Sequence, residues 1–363
     1  MPTVSVQRTP SYDPDALYRS VCAHFEAVGL AESLTPETKV LLKPNLLAGR
    51  DPALAVTTHP ALLHAIAKRL RELGVSRIVL ADSPGGLYTP AALRKVYSAC
   101  HLNDLSEVLT LNEDVTHAER NGFPIIQPVW DADLIINCPK LKTHGLTVMT
   151  GGVKNLFGCI PGLRKPEMHC IKPGAEDFSR MLLDLCETVK PHLTLMDAVD
   201  GMEGNGPGGG TVRAVGYTLC SRDVYALDEA AACLMGLNPA IAPLLRLARK
   251  RGLCTPADIA YVGDSLVPAE PPFRLPDSIV AKDRLFSSRG LFHRFFGRKY
   301  SFPKMVPAKC IGCGRCAESC PKHLIDMVDR KAVIARKGCI SCFCCQEMCP
   351  AHAIDAVKKR RQQ

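Results

Sequence analysis

No stretch of this 363-residue sequence approaches the run of about 18 apolar residues that a membrane-crossing helix needs, so no transmembrane segment is expected. The first 18 residues are polar and contain proline, without the basic start and apolar core of a secretory leader. The chain is therefore expected in the cytoplasm. Absent too are a phosphate-binding P-loop, a serine-hydrolase elbow and an HExxH zinc motif, which removes three common enzyme classes. Gly204, Gly206 and Gly209 have the spacing of a dinucleotide fingerprint. Pro207 interrupts that run and the residues after it look extended, whereas the fingerprint must open a helix.

Cysteine, by contrast, is abundant. There are 18, and nine of them crowd between Cys310 and Cys349. Without a leader, and in a chain too long to need stapling, metal ligation explains that density better than disulfides. The scattered remainder (Cys22, Cys100, Cys138, Cys159, Cys170, Cys186, Cys220, Cys233, Cys254) are expected mostly as small buried apolar side chains. Charge is uneven as well. After residue 281, 18 Lys and Arg stand against 6 Asp and Glu, whereas the first 281 residues carry 27 against 30. A basic surround favours acidic partners.

Short apolar runs at 4–7, 40–42, 77–80, 134–137, 193–196 and 217–220 predict strands. Helical periodicity at 16–28, 60–73, 91–98, 177–189 and 224–235 alternates with them, and Gly29 and Gly74 stop the first two helices. Such alternation predicts an α/β fold, a largely parallel sheet domain over residues 1–264. A proline-rich extended linker with an amphipathic aromatic and basic segment follows over 265–304. Next come a small cysteine-rich α+β domain over 305–357 and a basic tail over 358–363.

Two complete copies of C-x2-C-x2-C-x3-C-P occur, Cys310, Cys313, Cys316, Cys320 and then Cys339, Cys342, Cys345, Cys349. In two-cluster ferredoxins the fourth cysteine of each run ligates the other cluster. The expected cofactors are therefore two [4Fe–4S] clusters, and residues 305–357 are expected as a small α+β two-cluster ferredoxin-like domain. One would be held by Cys310, Cys313, Cys316 and Cys349, the other by Cys339, Cys342, Cys345 and Cys320. Cys344 is an extra cysteine inside the second loop and is expected as a bystander. Ile311, Ile325, Val333, Ile334, Ile340 and Ile354 are the expected apolar shell.

Four polar groups follow predicted strands: Lys43 with Pro44 and Asn45; Asp82 with Ser83, Pro84, Gly85 and Gly86; residues 139–145; and Asp197, Asp200 and Glu203. In a parallel sheet the carboxyl ends share one edge, where ligands bind. Each group alone also reads as an ordinary turn or surface loop; together they predict one site. Lys43, Asn45, Ser83, Gly85, Lys140, Thr147, Lys154 and Asn155 are the expected contacts to a small anionic ligand, an additional unidentified small molecule or a metal. The glycines after Ser83 would form a nest of N–H groups. His144 is the expected proton donor or base, with Lys142, Asp200 and Glu203 in support and His169 as a second histidine.

The Lys43–Asn45 and Asp82–Pro84 pieces, the long block 137–158 (NCPKLKTHGLTVMTGGVKNLFG) and the Asp197 to Gly206 run together resemble a bacterial and archaeal family. It is described as a domain of unknown function, number 362, and its members are often called uncharacterised iron–sulfur centre proteins. The resemblance spans roughly residues 4–264, and many members append a double-cluster ferredoxin. It implies iron–sulfur binding and no particular reaction. Two readings stay open. In one, a ferredoxin-dependent oxidoreductase delivers single electrons to an anionic substrate or cofactor held by the α/β domain. In the other, an electron carrier or adaptor docks a redox partner protein and performs no chemistry itself. Nucleic acid is not an expected partner, since no recognition motif for it occurs.

Overall fold

The structure, a computed structural model, describes residues 1–172, 174–279 and 299–360. Twelve strands build the larger part: β1 (Thr3–Arg8), β2 (Lys39–Pro44), β3 (Arg77–Leu80), β4 (Thr110–Leu111), β5 (His117–Arg120), β6 (Phe123–Ile126), β7 (Leu134–Cys138), β8 (Lys140–His144), β9 (Val148–Thr150), β10 (Leu193–Glu203), β11 (Thr211–Ser221) and β12 (Ala260–Gly263). Ten of them form one sheet in the order β12-β1-β11-β10-β7-β2-β3-β4, with β8 and β9 added beside β10; β5 and β6 form a separate hairpin. Pairings from β10 through β7, β2 and β3 to β4 are parallel, while β11 runs antiparallel to both β1 and β10. The expected α/β class with a largely parallel sheet is what the chain adopts.

Parallel strands covered on both faces read as continuous apolar runs. In β2, Val40 and Leu42 enter one core while Leu41 enters the other. The first core is closed by helices Pro14–Ala27, Pro60–Glu72 and Pro90–Ala99, the second by Ala175–Val189, Val224–Leu234 and Pro243–Lys250. Their starts are locally encoded. Asp13 and Thr89 side chains accept N–H groups of the first turn, each followed by proline at the first helical position. Gly29 (φ +59°) and Gly74 (φ +88°) take the left-handed conformation that ends the first two helices.

Two expected loops are strand instead. The run after Leu193–Met196 does not turn away at Asp197, because β10 continues to Glu203 and pairs with β11 on both sides of an irregularity between Ala198 and Asp200. Lys140–His144 is likewise the strand β8, hydrogen-bonded to that extension and to β9. The glycines at 204–209 join antiparallel strands and open no helix. Among the described residues no helix is long and apolar enough to cross a membrane.

The C-terminal part is small and duplicated. Strand β13 (Lys299–Met305) pairs antiparallel with β16 (Ile354–Arg360), and β14 (Ile325–Val328) with β15 (Lys331–Ile334). Each cysteine run leads into one helical turn, Arg315–Glu318 or Cys344–Glu347. Gly312 and Gly314 take positive φ in the first run, and Ser341 and Phe343 do so at the matching places in the second. The aromatic and basic segment at 289–304 lies mostly outside the described residues, as does the end of the basic tail.

Candidate functional site

Two cavities in the C-terminal part divide the eight motif cysteines. One, of about 320 Å³, is lined by Cys310, Cys313, Cys316 and Cys349. The other, of about 350 Å³, is lined by Cys320, Cys339, Cys342 and Cys345. Each set takes three sulfurs from one tight loop and the fourth from the other run, the donor set of a [4Fe–4S] cluster. Among the described residues no three His, Cys, Asp or Glu side chains are placed to hold a metal ion. Each cysteine set lines a cavity, where a mononuclear zinc site would draw four ligands to one point. Backbone N–H groups of Leu324 and Ala353 donate to the sulfurs of Cys320 and Cys349. Ile325 and Ile354 are buried beside the cavities, but Ile311 and Val333 are at least half exposed, so the apolar shell is thinner than expected.

At the carboxyl ends of the parallel strands the polar groups meet. Lys43 Nζ lies 2.7 Å from Asp82 Oδ1 across neighbouring strands, both side chains buried. Asp82 Oδ2 accepts the Leu46 N–H at 2.8 Å. Gly158 passes so close that a Cβ there would overlap both Asp82 and Lys43. A relay of buried amides runs alongside. Lys142 Nζ donates to Asn45 Oδ1 (2.9 Å), Asn45 to Asn155 (2.9 Å), Asn155 to Asn137 (2.8 Å), and Asn137 to the Gly152 carbonyl (2.9 Å). Every donor points the same way, so the bonds polarise one another. Burial, with Lys154 nearby, holds Lys142 well below the usual ammonium pKa. A third group lies apart: Lys140 Nζ pairs with Asp197 Oδ2 at 2.9 Å, and Tyr12 donates to Asp197 Oδ1 at 2.9 Å.

A pocket of about 850 Å³, its mouth included, lies between this edge and the second cysteine loop. Of the expected ligand contacts, Lys43, Asn45, Ser83, Gly85, Lys154 and Asn155 line it, whereas Lys140 and Thr147 do not. Neither do the four expected catalytic residues. Asp200 sits along β10, and Glu203 is engaged by Arg213 (3.0 Å) and Arg274 (2.7 Å). Lys142 stands one residue behind, under Asn45. His144 Nδ1 accepts the backbone N–H groups of Leu146 and Thr147, which leaves the ring proton on Nε2, 2.9 Å from Glu347 Oε1. Burial, then Lys154, pulls the His144 imidazole down to about 4, so it is neutral near pH 7. His144 therefore lies behind Glu347, which lines the pocket, and does not line it itself. Of the expected N–H nest, Gly85 N–H already binds the Leu47 carbonyl, and the neighbouring Ser83 N–H that of Gly158.

Sequence reasoning passed over Lys165, Phe157, Glu347 and Met348 on the pocket wall. Burial lowers Lys165 to about 8, and its Nζ donates to the Ser83 carbonyl oxygen. Cys344 lines this pocket beside Glu347, while its neighbours Cys342 and Cys345 line the second cysteine cavity. One loop serves both spaces.

Fold and cysteine arrangement define the class: an α/β protein carrying a ferredoxin-type iron–sulfur domain. Comparison with known proteins gives the family. The family model described as domain of unknown function DUF362 matches residues 40–233, and that of a 4Fe-4S dicluster domain matches residues 302–350. The chain belongs to the DUF362 family. It is 34% identical over 262 residues to the thylakoid-associated protein sll1697 of Synechocystis sp., covering 69% of this chain and 80% of that one. The lactate racemase apoprotein of Thermoanaerobacterium thermosaccharolyticum aligns at a TM-score of 0.35 and 17% identity, over 53% of this chain and 50% of that chain.

Proposed function

We propose that the chain is an iron–sulfur oxidoreductase whose substrate binds in the pocket between the α/β domain and the cysteine-rich domain. Cys310, Cys313, Cys316 and Cys349 would hold one [4Fe–4S] cluster, and Cys320, Cys339, Cys342 and Cys345 the other. Bound there, the clusters would supply single-electron transfer. The chain's own groups do the rest. Asp82 and the carbonyl of Pro44 fix Lys43 at the strand ends, and the amide relay from Lys142 keeps Asn45 and Asn155 in one orientation. Lys154 and Lys165 bring positive charge to a largely buried space, which suits an anionic ligand.

The observation that carries this reading is the shared loop. Residues 342–349 supply Cys342 and Cys345 to one cavity, Cys349 to the other, and Cys344, Glu347 and Met348 to the pocket wall, so ligand and electron source would be separated by little more than one loop. A carrier that only docks proteins has no need for a lysine-lined pocket at that place. To test it, anaerobic protein is reduced, desalted, and mixed separately with the small-molecule and protein fractions of a cell extract. Reoxidation by the small-molecule fraction supports the enzyme. Reoxidation by the protein fraction alone replaces it with the carrier.

A further inference from the structure

The charges on the pocket wall do not all close. Lys43 is matched by Asp82 at 2.7 Å, and Lys165 Nζ reaches the Ser83 carbonyl. Lys154 differs. Its side chain is buried, at 9% exposure, yet among the described residues no carboxylate oxygen lies within 4.0 Å of its Nζ and no acceptor takes its protons. Its Nζ stands 5.9 Å from the centre of the Phe157 ring. Two more buried polar atoms of this pocket lack partners: Ser83 Oγ and His169 Nδ1. The His169 ring cannot swing away to find one, since it stacks on Phe178 with centroids 4.2 Å apart. Leaving a hydroxyl and an imidazole nitrogen buried and unpaired is costly, and beside them the Lys154 ammonium opens unpaired onto the pocket; a ligand offering acceptors meets all three.

The remaining wall sets the ligand's character. Leu47, Phe157, Leu163, Pro166 and Met348 are apolar. With Lys43 closed by Asp82, the cations Lys154, Lys165 and Arg315 face Glu318 and Glu347 across the same space, an excess of one positive charge that suits a singly rather than a multiply charged group. The Ser83 and Gly85 N–H groups, which could have cradled a phosphate, are already bonded to carbonyls.

We infer that the pocket takes a small organic monocarboxylate with an apolar body, its carboxylate on Lys154 and Ser83 and its body against Phe157, Leu163 and Met348. The inference rests on this pocket being the substrate site proposed above. One full negative charge satisfies the unpaired ammonium, and the second oxygen accepts the hydroxyl. Phosphate esters and nucleotides bring more negative charge than that one excess cation matches.

The test is calorimetric binding to the cluster-loaded full chain under argon, with 3-phenylpropanoate as probe, 3-phenylpropanamide as its uncharged counterpart, and inorganic phosphate. The expected result is at least tenfold tighter binding of the carboxylate than of the amide, and no measurable phosphate binding. Lys154→Met abolishes that preference, and Ser83→Ala weakens the carboxylate several-fold. Equal affinity for acid and amide in the unaltered protein overturns the inference, even if Lys154→Met fails to fold. A preference that survives in folded Lys154→Met, or phosphate binding as tight as the carboxylate, overturns it too. Iron content and reducibility, measured on the same sample, report separately on the electron-transfer reading.

Discussion

Replacing Asp82 by Asn tests whether the edge of the sheet is held by a buried charge pair. Lys43 and Asp82 are 1% and 3% exposed and stand 2.7 Å apart. Asn preserves the shape and can still accept the Leu46 N–H, but it leaves the Lys43 ammonium buried without a counter-charge. Breaking one side of such a pair costs about 3–5 kcal/mol. At roughly 2–4 °C per kcal/mol for a chain of this class, the melting temperature should fall by about 10 °C. Adding Lys43→Met removes the stranded charge, so the double variant should recover most of the loss. The assay is urea unfolding of anaerobically purified proteins, followed by far-ultraviolet circular dichroism and read as a double-mutant cycle. If Asp82→Asn costs less than about 1 kcal/mol and the two substitutions simply add, the pair is not desolvated and the site geometry is wrong.

Gly158→Ala should weaken the same edge by about 1–3 kcal/mol in urea unfolding, because the new methyl overlaps both members of the pair; an unchanged midpoint would contradict the packing. The crossed cysteine sets predict a pattern in iron content: Cys320→Ser with Cys339→Ser should keep about half the iron, whereas Cys320→Ser with Cys316→Ser should lose nearly all. The reverse pattern would mean that each run holds its own cluster. Acid should destabilise the α/β domain through its buried histidines. His24, between Ser5 Oγ (2.8 Å) and Thr218 Oγ1 (2.9 Å), is lowered by burial to about 3. Its contribution is whole above the unfolded value of about 6.5. Below that the unfolded chain takes up a proton that the native one refuses, at about 1.4 kcal/mol per pH unit. His24→Gln should flatten the loss of stability between about pH 6 and pH 4; an unaltered slope would refute the assignment.

Much of this architecture is written locally. The apolar runs at 40–42 and 134–137 had to be buried parallel strands, and Asp13, Thr89, Gly29 and Gly74 mark helix ends by their own hydrogen bonds and φ values. The cysteine spacing pointed to two crossed sets because only an exchanged fourth ligand suits that double run. What stayed hidden depends on partners distant in sequence. Nothing local to Asp82 says that it faces Lys43; that follows from β3 lying parallel beside β2. Lys165 sits in the polar helix Arg164–Ile171, whose sequence has no apolar stripe to announce it. Glu347 and Met348 read only as loop residues near cysteines until the second loop is seen against the sheet edge. The lysine block after 139 looked like a ligand loop, yet β10 runs past Asp197 and draws residues 140–144 into the sheet, which places His144 behind Glu347.

The most direct test is to assay iron, acid-labile sulfide and low-temperature paramagnetic resonance on one sample of chain purified without oxygen. Two clusters require about eight irons and eight sulfides per chain, with two spins that broaden each other once reduced. Four irons or fewer, or a single isolated spin, would contradict the account.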